Sequence, residues 1–205
     1  MVRQRSRRGL IIAAAGAAAA LLAGGTWWWA ISDSVQVPDR TCGGVFSGKT
    51  VVALLPSQGK AYTEPPRTAL DPGKATGGIW CSMTAGNGYV SAEYSWVTTE
   101  GAEIRARANN SIRLGDAKGY ATQRAANLYL PCRRPSDTER SWLEVRIARF
   151  QPGLKYGDGP EQQREVALMA ALVAEAAPHV TQQLKCEVAP RLPAGPPVIG
   201  ADASG

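Results

Sequence analysis

The 205-residue chain has one histidine, no C-x-x-C pair and no acidic residue before Asp33. Each absence excludes something. A lone imidazole, His179, cannot anchor a metal site unless carboxylates supply the rest of the shell. Without a C-x-x-C pair the cysteines lack the usual spacing of a structural zinc site. No metal and no cofactor are therefore expected. His179 keeps one catalytic option, as the base of a Ser-His-Asp arrangement in an envelope hydrolase. It follows Pro178 near an expected helix end, where a histidine more often faces solvent or the last carbonyls. The missing acids leave Arg3, Arg5, Arg7 and Arg8 unopposed and inflate the formal charge of +6. From residue 32 onward, 19 Lys and Arg face 17 Asp and Glu. That near-neutral remainder gives no support for nucleic acid as a partner.

Charge is also absent from Gly9 to Ile31, a run of 23 residues. As a helix rising about 1.5 Å per residue it spans about 34 Å, enough for a bilayer core of about 30 Å. Trp27, Trp28 and Trp29 close the run and suit the membrane interface, while the arginines stay cytoplasmic. The sequence thus predicts a basic tail at 1–8, a transmembrane signal-anchor at 9–31 and a short stalk at 32–40. Leu10–Leu22 also suits the core of a cleaved signal ending at Ala23-Gly24-Gly25. Ser6–Leu10 resembles a twin-arginine export signal. Cleavage after Gly25 would leave three tryptophans at a free N-terminus, which favours the anchor. All three readings place the rest outside the cytoplasm, where disulfides persist.

The four cysteines, Cys42, Cys81, Cys132 and Cys186, all lie in that exported part. Ser47 is placed to cap a short helix, Gly48–Leu55, closed by Pro56. Residues 56–78, rich in proline and glycine, read as an irregular connection. Gly78–Ala85 and Tyr89–Thr98 flank Gly86-Asn87-Gly88 as a hairpin. Val90, Ala92, Tyr94 and Trp96 alternate with Ser91, Glu93 and Ser95, giving one buried and one wet face. Ala126–Leu130 and Trp142–Phe150 form a second hairpin-like unit. Pro160 starts a helix at its favoured first position, with Glu161 and Glu165 near the positive end, and Pro178 is expected to kink or end it. Residues 188–205 read as a disordered Pro/Ala/Gly tail. The halves mirror one another, each with a strand-borne cysteine facing the far end of its own helix. This favours Cys42–Cys81 and Cys132–Cys186 among the three connectivities.

Two motifs match chemistry that their context does not support. Gly43–Thr50 fits G-x-x-x-x-G-K-[ST], the phosphate-cradling loop. A charged stretch precedes it where a buried strand is needed, and Pro56 ends its helix early, so no nucleotide partner is expected. Ser57-Gln58-Gly59-Lys60 fits the S-x-x-K nucleophile motif. It lies between Pro56 and a loop, and no K-T-G accompanies it. A regional charge bias is more suggestive. Residues 104–150 hold ten Lys and Arg against four Asp and Glu. Arg105, Arg107, Arg124, Arg133, Arg134, Arg146 and Arg149 are candidates for a patch meeting anionic lipid heads or envelope polymers.

Cys42-Gly43-Gly44, Trp80-Cys81, Leu130-Pro131-Cys132 and the alanine-rich stretch up to Cys186 form a layout that resembles uncharacterised envelope proteins of actinobacteria. The resemblance implies a location and no catalytic residues. The expected fold is α+β: an antiparallel sheet of four to five strands with two helices, two disulfides and one N-terminal transmembrane helix. The domain at 41–187 is expected to bind an envelope protein or an anionic polymer, with the lipid bilayer as its other partner.

Overall fold

The computed structural model describes residues 35–70, 77–98, 110–133, 142–155, 157–186 and 190–200. The two longest alternating segments build its centre. β4 (Gly88–Val97) and β8 (Trp142–Phe150) pair antiparallel from Tyr89↔Phe150 to Val97↔Trp142. Their alternation sets Val90, Ala92, Tyr94, Val145 and Ile147 on one face, all buried. β3 (Gly78–Ala85) joins β4 through the expected tight turn, with a bulge between Ile79 and Cys81. β7 (Ala125–Pro131) joins β8 on its other side and adds Leu128 and Leu130 to the same face.

The sheet is larger than the four to five strands expected. β5 (Ser111–Leu114) and β6 (Ala117–Ala121) extend it through a turn at Gly115–Asp116. β9 (Val198–Ile199) pairs with β5, completing seven strands in the order β3-β4-β8-β7-β6-β5-β9. A separate two-stranded sheet joins β1 (Arg40–Thr41) to β2 (Phe46–Ser47). Gly119 hid β6: a glycine inside a short run reads as a break, yet here a Cβ would sit 1.8 Å from the Asn127 carbonyl oxygen. Close strand approach, not a turn, accounts for that glycine.

Two helices lie among the described residues. α1 (Gly48–Val52) is shorter than expected and buries Val51. Ser47 occupies its cap position, but its side chain makes no capping bond. Its N–H instead donates to Glu175 Oε2 at 2.7 Å, tying the first helix to the second. α2 (Pro160–Gln183) starts at Pro160 as expected and runs through Pro178 without ending there. It lies on β6, β7 and β8 and buries Met169, Leu172, Val173, Ala176 and Val180.

Both expected disulfides are present. Cys42–Cys81 ties the β1–β2 turn to β3, and Cys132–Cys186 ties the end of β7 to the end of α2. Val35 is buried, and its N–H donates to the Ser57 carbonyl at 3.1 Å, so the chain lies on the domain within the expected stalk. No helix among the described residues is long and apolar enough to cross a membrane. The predicted span at 9–31, its tryptophans and the basic tail lie outside the described residues.

Candidate functional site

A groove of about 1040 Å3 opens between the start of α2, the β6–β7 turn and β9. The turn is built locally. Thr122 Oγ1 accepts from the N–H groups of Arg124 and Ala125 at 3.2 and 3.0 Å. Such a side-chain-to-backbone turn fixes the chain without glycine. It aims Gln123 inward, where Nε2 donates to Lys155 O at 3.0 Å and to Glu165 Oε2 at 2.7 Å. Gln123 Oε1 accepts from the Gly157 N–H at 3.3 Å. Gln123 is thus a strut with its hydrogen bonds already committed. Asn110, Arg124, Asp158, Gln162 and Gln163 line the rest, with Val166 and Ile199 as apolar contacts. Carboxamides donate and accept at once, so this lining suits a ligand rich in hydroxyl or amide groups.

Beneath the groove lies Arg149, a candidate for the anionic-surface patch, in an ion pair with Glu165. Arg149 Nη1 meets Glu165 Oε1 at 2.9 Å, with the Arg149 side chain only 3% exposed. Its Nη2 donates to Gln151 Oε1 at 2.6 Å. Arg146, three residues earlier on the same strand, projects to the opposite face and lies 4.0 Å from Glu93 Oε2. Arg124 lines the groove and Arg133 is exposed past the end of β7. Arg105, Arg107 and Arg134 lie outside the described residues. The described arginines therefore fall on different faces, and Arg149 neutralises a carboxylate inside the domain.

The face of the sheet away from α2 carries a feature the alternation did not reveal. Glu144 is only 7% exposed. Its carboxylate accepts from Ser95 Oγ at 2.8 Å, from Tyr129 OH at 3.1 Å and from Asn127 Nδ2. Ser95, Glu144 and Tyr129 form one cross-strand row, since Ser95 pairs with Glu144 and Glu144 with Tyr129. The buried carboxylate is held by three neutral donors, while Asn127 Oδ1 is left without a hydrogen-bond partner among the described residues.

His179 lines a smaller pocket of about 320 Å3 with Arg67, Thr68, Trp80 and Gln183. Its ring lies 5.3 Å from that of Trp80, which in turn lies 5.7 Å from Phe46. Burial first, and then the Arg67 charge, lower its pKa from the ordinary 6.5. Among the described residues the pocket brings a hydroxyl, Thr68, beside the imidazole but no carboxylate. The acid-imidazole-hydroxyl set that a hydrolase reading needs is not assembled from them.

The amides of the loop at Gly43–Thr50 are engaged inside the domain. The N–H of Gly44 donates to Thr41 O at 3.1 Å and that of Gly48 to Asp39 O at 2.8 Å. The preceding Cys42 N–H donates to Glu64 Oε2 at 3.0 Å. Tyr62 OH donates to the same carboxylate oxygen at 2.9 Å, and burial together with Glu64 raises the tyrosine pKa. Glu64 also converges with Cys42 and Cys81, but both sulfurs are consumed in the disulfide and offer no thiolate to a metal.

Among the described residues, the fold and groove define a disulfide-closed antiparallel sheet backed by a long helix, with a cleft of mixed apolar and carboxamide lining at the helix's start. Comparison with protein-family models, curated proteins and solved structures finds no match for this chain.

Proposed function

We propose that this chain is a membrane-anchored, extracytoplasmic binding module of the cell envelope, and that the groove at the start of α2 takes its ligand. The observation that carries the binding role is the groove's lining of carboxamides around one guanidinium and one carboxylate. That chemistry fits a polyhydroxyl or amide-bearing ligand of modest charge, the class to which envelope glycans belong. The two disulfides support the compartment. The basic-then-uncharged N-terminal sequence supports the anchoring, and the resemblance of its cysteine layout to actinobacterial envelope proteins points to the same place.

Isothermal titration of soluble cell-wall glycan fragments tests the reading. Asn110→Ala and Gln162→Ala remove groove-lining amides without touching the Gln123 strut. The reading expects saturable binding that either substitution weakens at least about tenfold, about 1.4 kcal/mol. Absence of binding, or binding that neither substitution alters, contradicts it.

A further inference from the structure

The pocket that His179 lines, at the opposite end of α2 from the groove, is rich in hydrogen-bond donors. Its charged member, Arg67, is held by the chain around it. The Thr68 N–H donates to Trp80 O at 3.1 Å and pins this segment to β3. Arg67 Nη1 donates to Cys42 O at 3.5 Å, and a Cβ at Gly43 would sit 2.1 Å from the same nitrogen. Gly43, the first glycine of the phosphate-loop match, therefore makes room for a guanidinium. Among the described residues no ion pair neutralises Arg67. Glu64 directs its Oε2 to the Cys42 N–H and the Tyr62 hydroxyl instead.

Trp80 supplies a second observation. It lines the pocket and is 2% exposed, yet its indole N–H has no hydrogen-bond partner among the described residues. That group can only donate, and a buried donor left unpaired calls for an acceptor. Thr68 and Gln183 add a hydroxyl and a carboxamide. Burial and the Arg67 charge lower the His179 pKa, so its ring is neutral at pH 7 and Arg67 is the one full charge in the described lining. The end of α2 does not repel an anion with free carbonyls. Val180, Thr181 and Gln182 O already accept from the Leu184, Cys186 and Lys185 N–H groups.

We propose that this pocket binds a small organic carboxylate, with Arg67 and the Trp80 indole N–H donating to its oxygens. The guanidinium fork matches a carboxylate in a bidentate pair. A volume of about 320 Å3 leaves room for an organic body beside Ala69 and Leu70, which a bare inorganic anion would not fill. The proposal does not rest on the groove or its ligand.

The probe is N-acetyl-alanine, titrated into the full chain by calorimetry and by NMR of the Trp80 indole N–H. Saturable binding is expected, with the indole proton moving downfield as it gains an acceptor. The uncharged amide of the same compound should bind at least about tenfold more weakly. Arg67→Ala, at an exposed position, should weaken N-acetyl-alanine at least about tenfold. Arg67→Lys should recover only part of that loss, because an ammonium keeps the charge without the fork. Inorganic phosphate should bind more weakly than N-acetyl-alanine. Equal binding of acid and amide, unchanged affinity in Arg67→Ala, an unmoved Trp80 signal, or phosphate binding as tightly as the acid overturns the proposal.

Discussion

Glu165 takes part in the most buried ion pair among the described residues, and replacing it by alanine tests how the groove floor is held together. Its carboxylate accepts from Arg149 Nη1 at 2.9 Å and from Gln123 Nε2 at 2.7 Å. The Arg149 side chain is 3% exposed and that of Glu165 is 18% exposed, so water reaches the acid more easily than the base. Removing one partner of a buried pair leaves the other charge uncompensated, at a cost of about 3–5 kcal/mol. Arg149 retains Gln151 Oε1, and water can enter on the Glu165 side, so the lower end, about 3 kcal/mol, is expected. For a domain of this size, 1 kcal/mol moves Tm by about 2–4 °C, giving a fall of about 6–12 °C. Circular dichroism melts of Glu165→Ala measure it. Replacing both charges, Arg149→Met with Glu165→Leu, should recover most of the loss, because no charge is then buried alone. A fall below about 2 °C in the single variant, or losses that simply add in the double, would refute this account of the floor.

Other outcomes follow from the same structure. NMR titration of the sole histidine should give His179 a pKa below 6.5, and Arg67→Ala should raise it only in part, since burial is the larger cause. Because the folded value lies below the unfolded one, this term stabilises fully above about pH 6.5. It is lost as pH falls through the folded value; a histidine titrating at or above 6.5 contradicts the geometry. Cys42→Ser with Cys81→Ser, and separately Cys132→Ser with Cys186→Ser, should each lower stability in urea by about 4 kcal/mol, given closed loops of 39 and 54 residues. Midpoints unchanged from the parent would contradict it. Glu144→Ala should cost about 1–3 kcal/mol for each buried donor it leaves unpaired, and a near-neutral result would show that the Ser95, Asn127 and Tyr129 contacts are not maintained.

The legible parts of this fold were those with long periods or strong punctuation. Gly78–Ala85, Trp142–Phe150 and the Pro160 helix start coincide with the structure because alternation or proline marks them locally. The cysteine pairing followed from layout. Shorter elements were hidden: β5 and β6 have four and five residues, too few for a period to stand out, and Gly119 is set by Asn127 across the sheet. β9 is hidden for another reason, since its strand character comes from the β5 edge it pairs with and not from its own composition. Arg149 and Glu144 show the limit for sites. Each has a charge that suggests solvent, and each is turned inward by partners 15 to 49 residues away in sequence. Pro178 failed to end its helix, whose last turn is also held by the Cys132–Cys186 disulfide.

If the folded domain lies outside the cytoplasm, as proposed, both disulfides are formed in the cell. The most direct test is to lyse cells making the full chain under an alkylating agent and weigh the protein. No alkylated cysteine is expected, and peptide maps should join Cys42 to Cys81 and Cys132 to Cys186. Recovery of the chain with all four cysteines alkylated would contradict it.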